Sequence, residues 1–445
     1  MMTTPICDFV KRYCEQNAAR LHMPGHKGKP ILGAEPLDIT EITGADELYH
    51  ATGVIRESEQ NAASLFGAER TLYSTEGSSL SIRAMLLVVK RFAERCGETP
   101  RVLACRNAHK SFLSAIALLD IETEWLFSKQ NSLLSCKPDL EECEALLRER
   151  HFTALYVTSP DYLGNLADIA KLSELCKKYG TLLLVDNAHG AYLKFLPTSR
   201  HPLDLGADLV CDSAHKTLPV LTGGGYLHIS KSAPEELACD AESALAIFAS
   251  TSPSYLILQS LDYTNLLLTE SIPMSLAKLE ARAVALKIRL SNQGYTLVGD
   301  ECLKLTLKAK PYGYRGHELA NYLESQNIVC EFSDPDFAVL MISSETSEGD
   351  IAALERALLA LPKKAPIEEE PPTVERPTAV ISPRRALLGV SELTPIDRAV
   401  GKILADPSVS CPPAVPILVS GERIDESAAL CFSYYGIANC RTVKE

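Results

Sequence analysis

From residue 57 to residue 229 the chain alternates short, unbroken apolar runs with amphipathic stretches. The runs at 102–104, 154–157, 181–185 and 209–211 carry apolar side chains at successive positions, as strands covered on both faces require. The stretch from Ile169 to Tyr179 instead spaces its apolar positions as a helix does. This alternation predicts an α/β domain with a mostly parallel sheet covered by helices.

Beyond it, residues 255–292 are rich in Leu, Ala, Glu and Lys, lack Gly, and contain Pro273, which predicts two helices with a break between them. A run at 303–307, a helix over 316–326, a run at 337–342 and a helix over 350–361 predict a small α+β domain. Residues 362–383 concentrate Pro and charge without periodicity, as a linker does. The expected organisation is an N-terminal segment (1–50), a large domain (51–265), connecting helices (266–295), the small domain (296–361), the linker (362–383) and a C-terminal domain (384–445).

The chain has 445 residues, 46% of them hydrophobic, enough for several packed units. Its formal net charge of -13 disfavours nucleic acid and anionic lipid as partners and mildly favours a cationic small molecule. The 14 cysteines form no paired CxxC spacing, so they read as reduced thiols, and no metal motif is present. No apolar run approaches membrane-spanning length and the N-terminus is charged, so the expectation is a soluble, cytoplasmic protein.

Candidate chemistry gathers at the ends of the apolar runs. Lys216, in Ser213-Ala214-His215-Lys216-Thr217, follows the run at 207–212 and precedes Gly223-Gly224-Gly225. That places it on a loop at the edge where open α/β sheets bind ligands. Asp186 ends the run at 181–185, where a buried carboxylate needs a partner. Gly77, Ser78 and Ser79 precede Ile82, Met85, Leu86 and Val89 at helical spacing, so they form a helix N-terminus suited to an anion. Ser213 and His215 add donors, and His109 offers a ring. Singly, these residues read as a surface lysine, a turn aspartate, a serine cap and solvated histidines. Together they supply what pyridoxal 5'-phosphate needs: a lysine for its aldehyde as a Schiff base, a carboxylate for its pyridine nitrogen, phosphate donors and a ring on the cofactor face.

The stretch His22-Met23-Pro24-Gly25-His26-Lys27-Gly28 resembles the HxPGHKG motif of the Orn/Lys/Arg decarboxylase family, pyridoxal-phosphate enzymes of the aspartate-aminotransferase fold. Residues 44–50, 106–111, 159–164, 186–190, 213–219 and 250–255 extend the resemblance over nearly the whole length. The tail does too, with Ser382-Pro383-Arg384, Cys411-Pro412-Pro413 and Gly421-Glu422. No response-regulator-like wing domain is recognisable, so the likeness is to the shorter members. Two departures stand out: Glu76-Gly77-Ser78-Ser79 replaces an NGTS-like loop, and Asn187 replaces the acid that often follows the aspartate.

The resemblance implies decarboxylation of arginine, lysine or ornithine, with Lys216 or His189 returning the proton, and a role in polyamine biosynthesis. It also implies a homodimer, or a higher homo-oligomer, with sites near the subunit interface. A cationic substrate tail needs a carboxylate, for which Asp46, Glu47 and Glu422 are candidates. An aminotransferase or another lyase of this fold would instead hold the α-carboxylate with an arginine, the candidates being Arg315, Arg384 and Arg385. A catalytically silent homologue with a regulatory binding role is the third reading.

Overall fold

The computed structural model describes residues 2–129, 133–374, 376–406 and 414–444. The chain forms two compact units: Met1–Val102 with Glu144–Val157 and Asp168–Ala277, and Leu103–Cys143 with Thr158–Ala167 and Lys278–Glu445. The architecture is mixed α/β with a mostly parallel central sheet. Its strands are β1 (Arg70–Ser74), β2 (Arg101–Cys105), β3 (Glu122–Leu126), β4 (Ala154–Thr158), β5 (Leu182–Asp186), β6 (Leu209–Asp212) and β7 (Gly225–Ile229). Within the first unit the order runs β1-β7-β6-β5-β4.

The unbroken apolar runs became strands because both of their faces are covered: every residue of β5, β6 and β7 is buried. Strands β5 and β6 pair in parallel, with Val185 opposite Val210 and Asp186 opposite Cys211. Their C-terminal ends, carrying Asp186 and Asp212, therefore lie side by side. Strand β7 runs antiparallel to both β1 and β6. Helix Ile169–Tyr179 has the expected span; Asp168 caps its start by accepting from the Lys171 N–H, and Gly180 ends it in the left-handed region.

The helical stretch after residue 255 is indeed two helices, Tyr255–Glu270 and Ile272–Gln293. Pro273 sits in the first turn of the second, where its missing N–H costs nothing. In the second unit, β8 (Thr296–Val298), β9 (Lys304–Lys308), β10 (Phe332–Ser333) and β11 (Phe337–Met341) form a sheet in the order β10-β11-β9-β8. Helices Gly316–Ser325 and Glu348–Ala360 accompany it. Strands β12 (Ser391–Pro395), β13 (Leu404–Asp406) and β14 (Asn439–Val443) pair in the order β12-β14-β13, around a core that includes Leu404, Ile424 and Phe432.

The Pro-rich stretch expected as a linker is irregular, but it is tied down. Lys364 N–H donates to the Tyr312 carbonyl, Ile367 N–H to the Lys310 carbonyl, and Arg315 pairs with Glu369 at 2.6 Å. No helix among the described residues is long and apolar enough to cross a membrane.

One buried acid in the first unit has a consequence for stability. Glu59, 3% exposed, accepts the Tyr73 N–H at 2.9 Å through Oε1, while Oε2 has no partner among the described residues. Burial pushes its carboxyl up to about 8. The folded chain then binds this proton more tightly than the unfolded chain does, so stability falls as pH rises from the ordinary glutamate range towards 8. Glu59→Gln keeps the Tyr73 hydrogen bond and removes the titration. Thermal melting should show it close to the native protein at pH 5 and more stable at pH 8, by about 1–3 kcal/mol.

Candidate active site

Strand β6 delivers Lys216. After Asp212 the chain turns through Ser213 into a single helical turn, Ala214–Thr217, so Lys216 sits on that turn rather than on the expected loop. Its Nζ lies 2.8 Å from His189 Nε2. His189 arrives from the segment after β5 and is 5% exposed, so a lysine amine and an imidazole meet at one point.

Asp186, at the end of β5, is 2% exposed. Oδ2 accepts from the Tyr156 hydroxyl at 3.0 Å and Oδ1 from the Ala188 N–H at 3.2 Å. Burial raises its carboxyl above the usual range, and the Tyr156 hydroxyl and the charge of Lys216 oppose that only in part. A buried carboxylate in this state favours a further N–H donor or cation against it.

The anion-binding end is built from helix Gly77–Arg95, whose first residue has φ +65°. The Gly77 N–H donates to the Gly223 carbonyl at 2.6 Å, and the Ser213 hydroxyl donates to Ser78 Oγ at 2.8 Å. This joins the serine-rich helix start to the lysine-bearing turn. Glu76, which stands where the resemblance leads one to expect Asn, accepts the Ser250 N–H at 2.7 Å. Ser79 lies in the first turn of the same helix. His215 Nδ1 donates to the Gly224 carbonyl at 2.8 Å, which leaves Nε2 a donor only when the ring is protonated. A Cβ at Gly77 would lie 3.5 Å from the His215 ring, so that ring borders the same loop.

The first unit therefore brings together Lys216, His189, Asp186, Gly77, Ser78, Ser79, Ser213 and His215. His109 lies in the second unit, at the start of helix Lys110–Leu119, where Nδ1 accepts the Ser111 N–H at 3.1 Å. In a neutral ring this puts the proton on Nε2.

Two of the substrate carboxylates expected from the sequence have structural duties instead. Asp46 accepts the N–H groups of Thr52, Gly53 and Ile55 at 3.0, 2.8 and 3.1 Å, and so holds the start of helix Val54–Phe66. Glu422 is 5% exposed, meets Arg106 at 2.5 Å and accepts the Val419 N–H at 2.7 Å. Glu47 remains exposed. Of the arginines an aminotransferase would use, Arg315 is paired with Glu369, Arg384 donates to the carbonyls of Ala117 and Leu118, and Arg385 is exposed. Residues 411–413 of the tail motif lie outside the described residues.

The sequence did not point to the layer behind Lys216. Asp212 is fully buried; its Oδ2 accepts from His201 Nε2 at 3.1 Å and His228 Nε2 at 3.2 Å, and its Oδ1 from Asn187 Nδ2 at 2.6 Å. Burial alone would push the Asp212 carboxyl up, but the two imidazoles outweigh it and hold the group well below the usual range. His228 is held below its ordinary value by burial, against the pull of Asp212. Asn187 thus ties the segment after Asp186 to the strand that carries Lys216.

A model of the Orn/Lys/Arg decarboxylase major domain matches residues 4–293, and one of the family's C-terminal domain matches residues 370–441. The chain belongs to the Orn/Lys/Arg decarboxylase family. As a member it is a decarboxylase of basic amino acids with an aminotransferase-like fold, and the family and its structural neighbours are pyridoxal-phosphate enzymes. Arginine decarboxylases of Halalkalibacterium halodurans and Bacillus subtilis are each 29% identical to it, over 95% of this chain and 91% of theirs. Lysine decarboxylase A from Pseudomonas aeruginosa superposes with a TM-score of 0.79 at 19% identity, covering 99% of this chain and 80% of that one. The constitutive lysine decarboxylase of Escherichia coli gives 0.74 at 18%, covering 99% and 82%.

Proposed function

We propose that this decarboxylase acts on arginine, with pyridoxal 5'-phosphate held on Lys216. The observation that carries this reading is the meeting of Lys216 Nζ and His189 Nε2 at 2.8 Å above a sheet edge that also presents buried Asp186. The choice of arginine is supported by the activity named for relatives that match 95% of the chain.

The residues fit the cofactor. Asp186 is a buried carboxylate that favours an additional N–H partner, and Gly77, Ser78, Ser79 and Ser213 gather backbone N–H groups and hydroxyls at one helix start. His215 borders that loop and is assigned to the same phosphate end, and the His109 ring to the cofactor face. When bound, the cofactor supplies an aldehyde for an amine and a ring that accepts the electron pair released when the bond to the carboxylate breaks.

The chain's own residues do the rest. Asp186 would accept from a protonated ring nitrogen and so favour the form of the ring that is the stronger electron sink. Lys216 would hold the cofactor through its aldehyde, and its amine, within hydrogen-bond reach of His189, would be placed to carry a proton. His189, within hydrogen-bond reach of that amine, holds or relays the proton that replaces carbon dioxide at the α-carbon. For the substrate's cationic tail, Glu47 remains a candidate because it is exposed and not committed to the fold as Asp46 and Glu422 are.

The same reading assigns the protein to polyamine biosynthesis in the cytoplasm and divides the chain as its sequence pattern does, with a large cofactor domain over 51–265. It also makes the protein a homodimer. In support, the HxPGHKG-like segment exposes Leu21, Met23, Ile31 and Leu32 at 93%, 66%, 78% and 93%, an apolar stretch a lone chain would leave in water.

Purified protein supplied with the cofactor should release carbon dioxide from arginine faster than from lysine or ornithine, without any oxo-acid acceptor. Amine transfer that depends on an acceptor would refute the reading. A further expected result concerns Gly225. A methyl group there would lie 2.8 Å from the Asp212 carbonyl oxygen and 3.1 and 3.3 Å from the backbone of Gly77 and Ser78. Gly225→Ala should therefore displace the phosphate loop, costing about 1–3 kcal/mol in thermal stability and loosening the cofactor, as read by its absorbance after dialysis.

A further inference from the structure

His189 reaches Lys216 from a tight turn. The Gly190 N–H donates to the Asn187 carbonyl at 2.8 Å, which closes a turn over 187–190 with His189 at its third position. The Asn187 N–H donates to the Cys211 carbonyl at 2.9 Å, beside the Asp186–Cys211 pair of the β5–β6 ladder. The Asn187 side chain carries that pairing one residue further, as its Nδ2 donates to Asp212 Oδ1 at 2.6 Å. Lys216 follows Asp212 by four residues. A hydrogen bond between two fully buried side chains therefore joins the turn that carries His189 to the strand end that delivers Lys216.

Both ends of this bond are fixed. On one side, His201 Nδ1 accepts the Leu203 N–H at 3.3 Å, which puts the ring proton on Nε2, where it is donated to Asp212 Oδ2 at 3.1 Å. His228 Nε2 donates to the same oxygen at 3.2 Å while its Nδ1 accepts from the Thr71 hydroxyl at 2.8 Å. With Asn187 these rings place three donors on the carboxylate and, against the penalty of full burial, keep it ionised. On the other side, Asn187 Oδ1 is buried without a partner among the described residues, so Asp212 sets the direction of the amide. A Cβ at Gly190 would stand 2.0 Å from that oxygen, so the amide can fold over its own turn because residue 190 is glycine. An unanswered buried oxygen is a stability cost, and such costs gather where a site sets the geometry.

We propose that Asn187 is a positioning residue for decarboxylation: its hydrogen bond to Asp212 sets where His189 stands relative to Lys216. Proton transfer needs the 2.8 Å reach between the two side chains, and a misplacement of about 1 Å at such a point costs roughly a hundredfold in rate. The proposal rests on the assignment of Lys216 and His189 to the chemistry.

Asn187→Leu keeps the size of the side chain and removes the donor. In the full-length holoenzyme it should lower kcat by about 30- to 100-fold and leave KM within about twofold of native, with the cofactor absorbance retained. A crystal structure of this variant without cofactor should show His189 Nε2 beyond about 3.5 Å from Lys216 Nζ, with His201 and His228 still on Asp212. Asn187→Asp combined with Asp212→Asn exchanges donor and acceptor across the same contact and keeps an oxygen for the two imidazoles, so kcat should return to within about threefold of native. If Asn187→Leu does not fold, Asn187→Ala, which leaves room for a water on Asp212, takes its place with the same expectations. Native kcat in the single variant, an unmoved contact between His189 and Lys216, or a folded double variant as slow as the single one overturns the proposal. His189→Asn at the native rate would remove the assignment beneath it. A slow His189→Asn beside an Asn187→Leu at the native rate would sink the positioning role and leave that assignment standing.

Discussion

Lys216→Ala is expected to abolish carbon dioxide release, lowering kcat by about four orders of magnitude or more. Two losses coincide in this substitution. The only amine at this point of the site that the account assigns to the cofactor aldehyde disappears, and so does the group that shares a proton with His189 at 2.8 Å. Global unfolding should not confuse the result. Lys216 is partly exposed on a single helical turn, and its removal leaves the buried network of Asp212, His201, His228 and Asn187 untouched. Melting temperature near the native value, with cofactor absorbance lost, is the combination to look for. A variant that still turns over at a tenth of the native rate would remove Lys216 from the chemistry.

Asp186→Asn is expected to lower kcat by about two to three orders of magnitude while leaving the fold intact. Asparagine keeps the size of the side chain and an oxygen to accept from Tyr156 or Ala188, the contacts now made at 3.0 and 3.2 Å. What it removes is the negative charge. Burial already raises the Asp186 carboxyl, so a neutral group is tolerated at this position, and melting should be unchanged or slightly higher. The loss should fall on kcat more than on KM, because the charge acts where electrons accumulate as the bond breaks. An Asn variant as active as the native enzyme would mean that the carboxylate serves packing alone.

The sequence was most readable where local chemistry decides the outcome. Four unbroken apolar runs became buried strands; Asp186 was conspicuous because burial penalises an acid at the end of one of them, and Lys216 because it follows another and precedes a glycine run. Gly77, Ser78 and Ser79 could be read from the helical spacing that follows them. What stayed hidden depended on pairing across long separations. Asp212 meets His228 because β6 and β7 run antiparallel with Val210 opposite His228, a register no local pattern specifies, and it meets His201 from the irregular segment before β6. The duty of Glu422 was hidden for the same reason, since its partner Arg106 is 316 positions away. The helix-holding duty of Asp46 was hidden because a substrate-binding acid and a helix-capping acid look alike in sequence and differ only in which N–H groups surround them.

Borohydride reduction of the holoenzyme, followed by proteolysis and mass spectrometry, identifies the lysine that carries the cofactor. One pyridoxyl group per chain is expected, on the peptide that contains Lys216, with carbon dioxide release lost in proportion to its incorporation. A pyridoxyl group on a different lysine, or full activity after Lys216 has been modified, would contradict it.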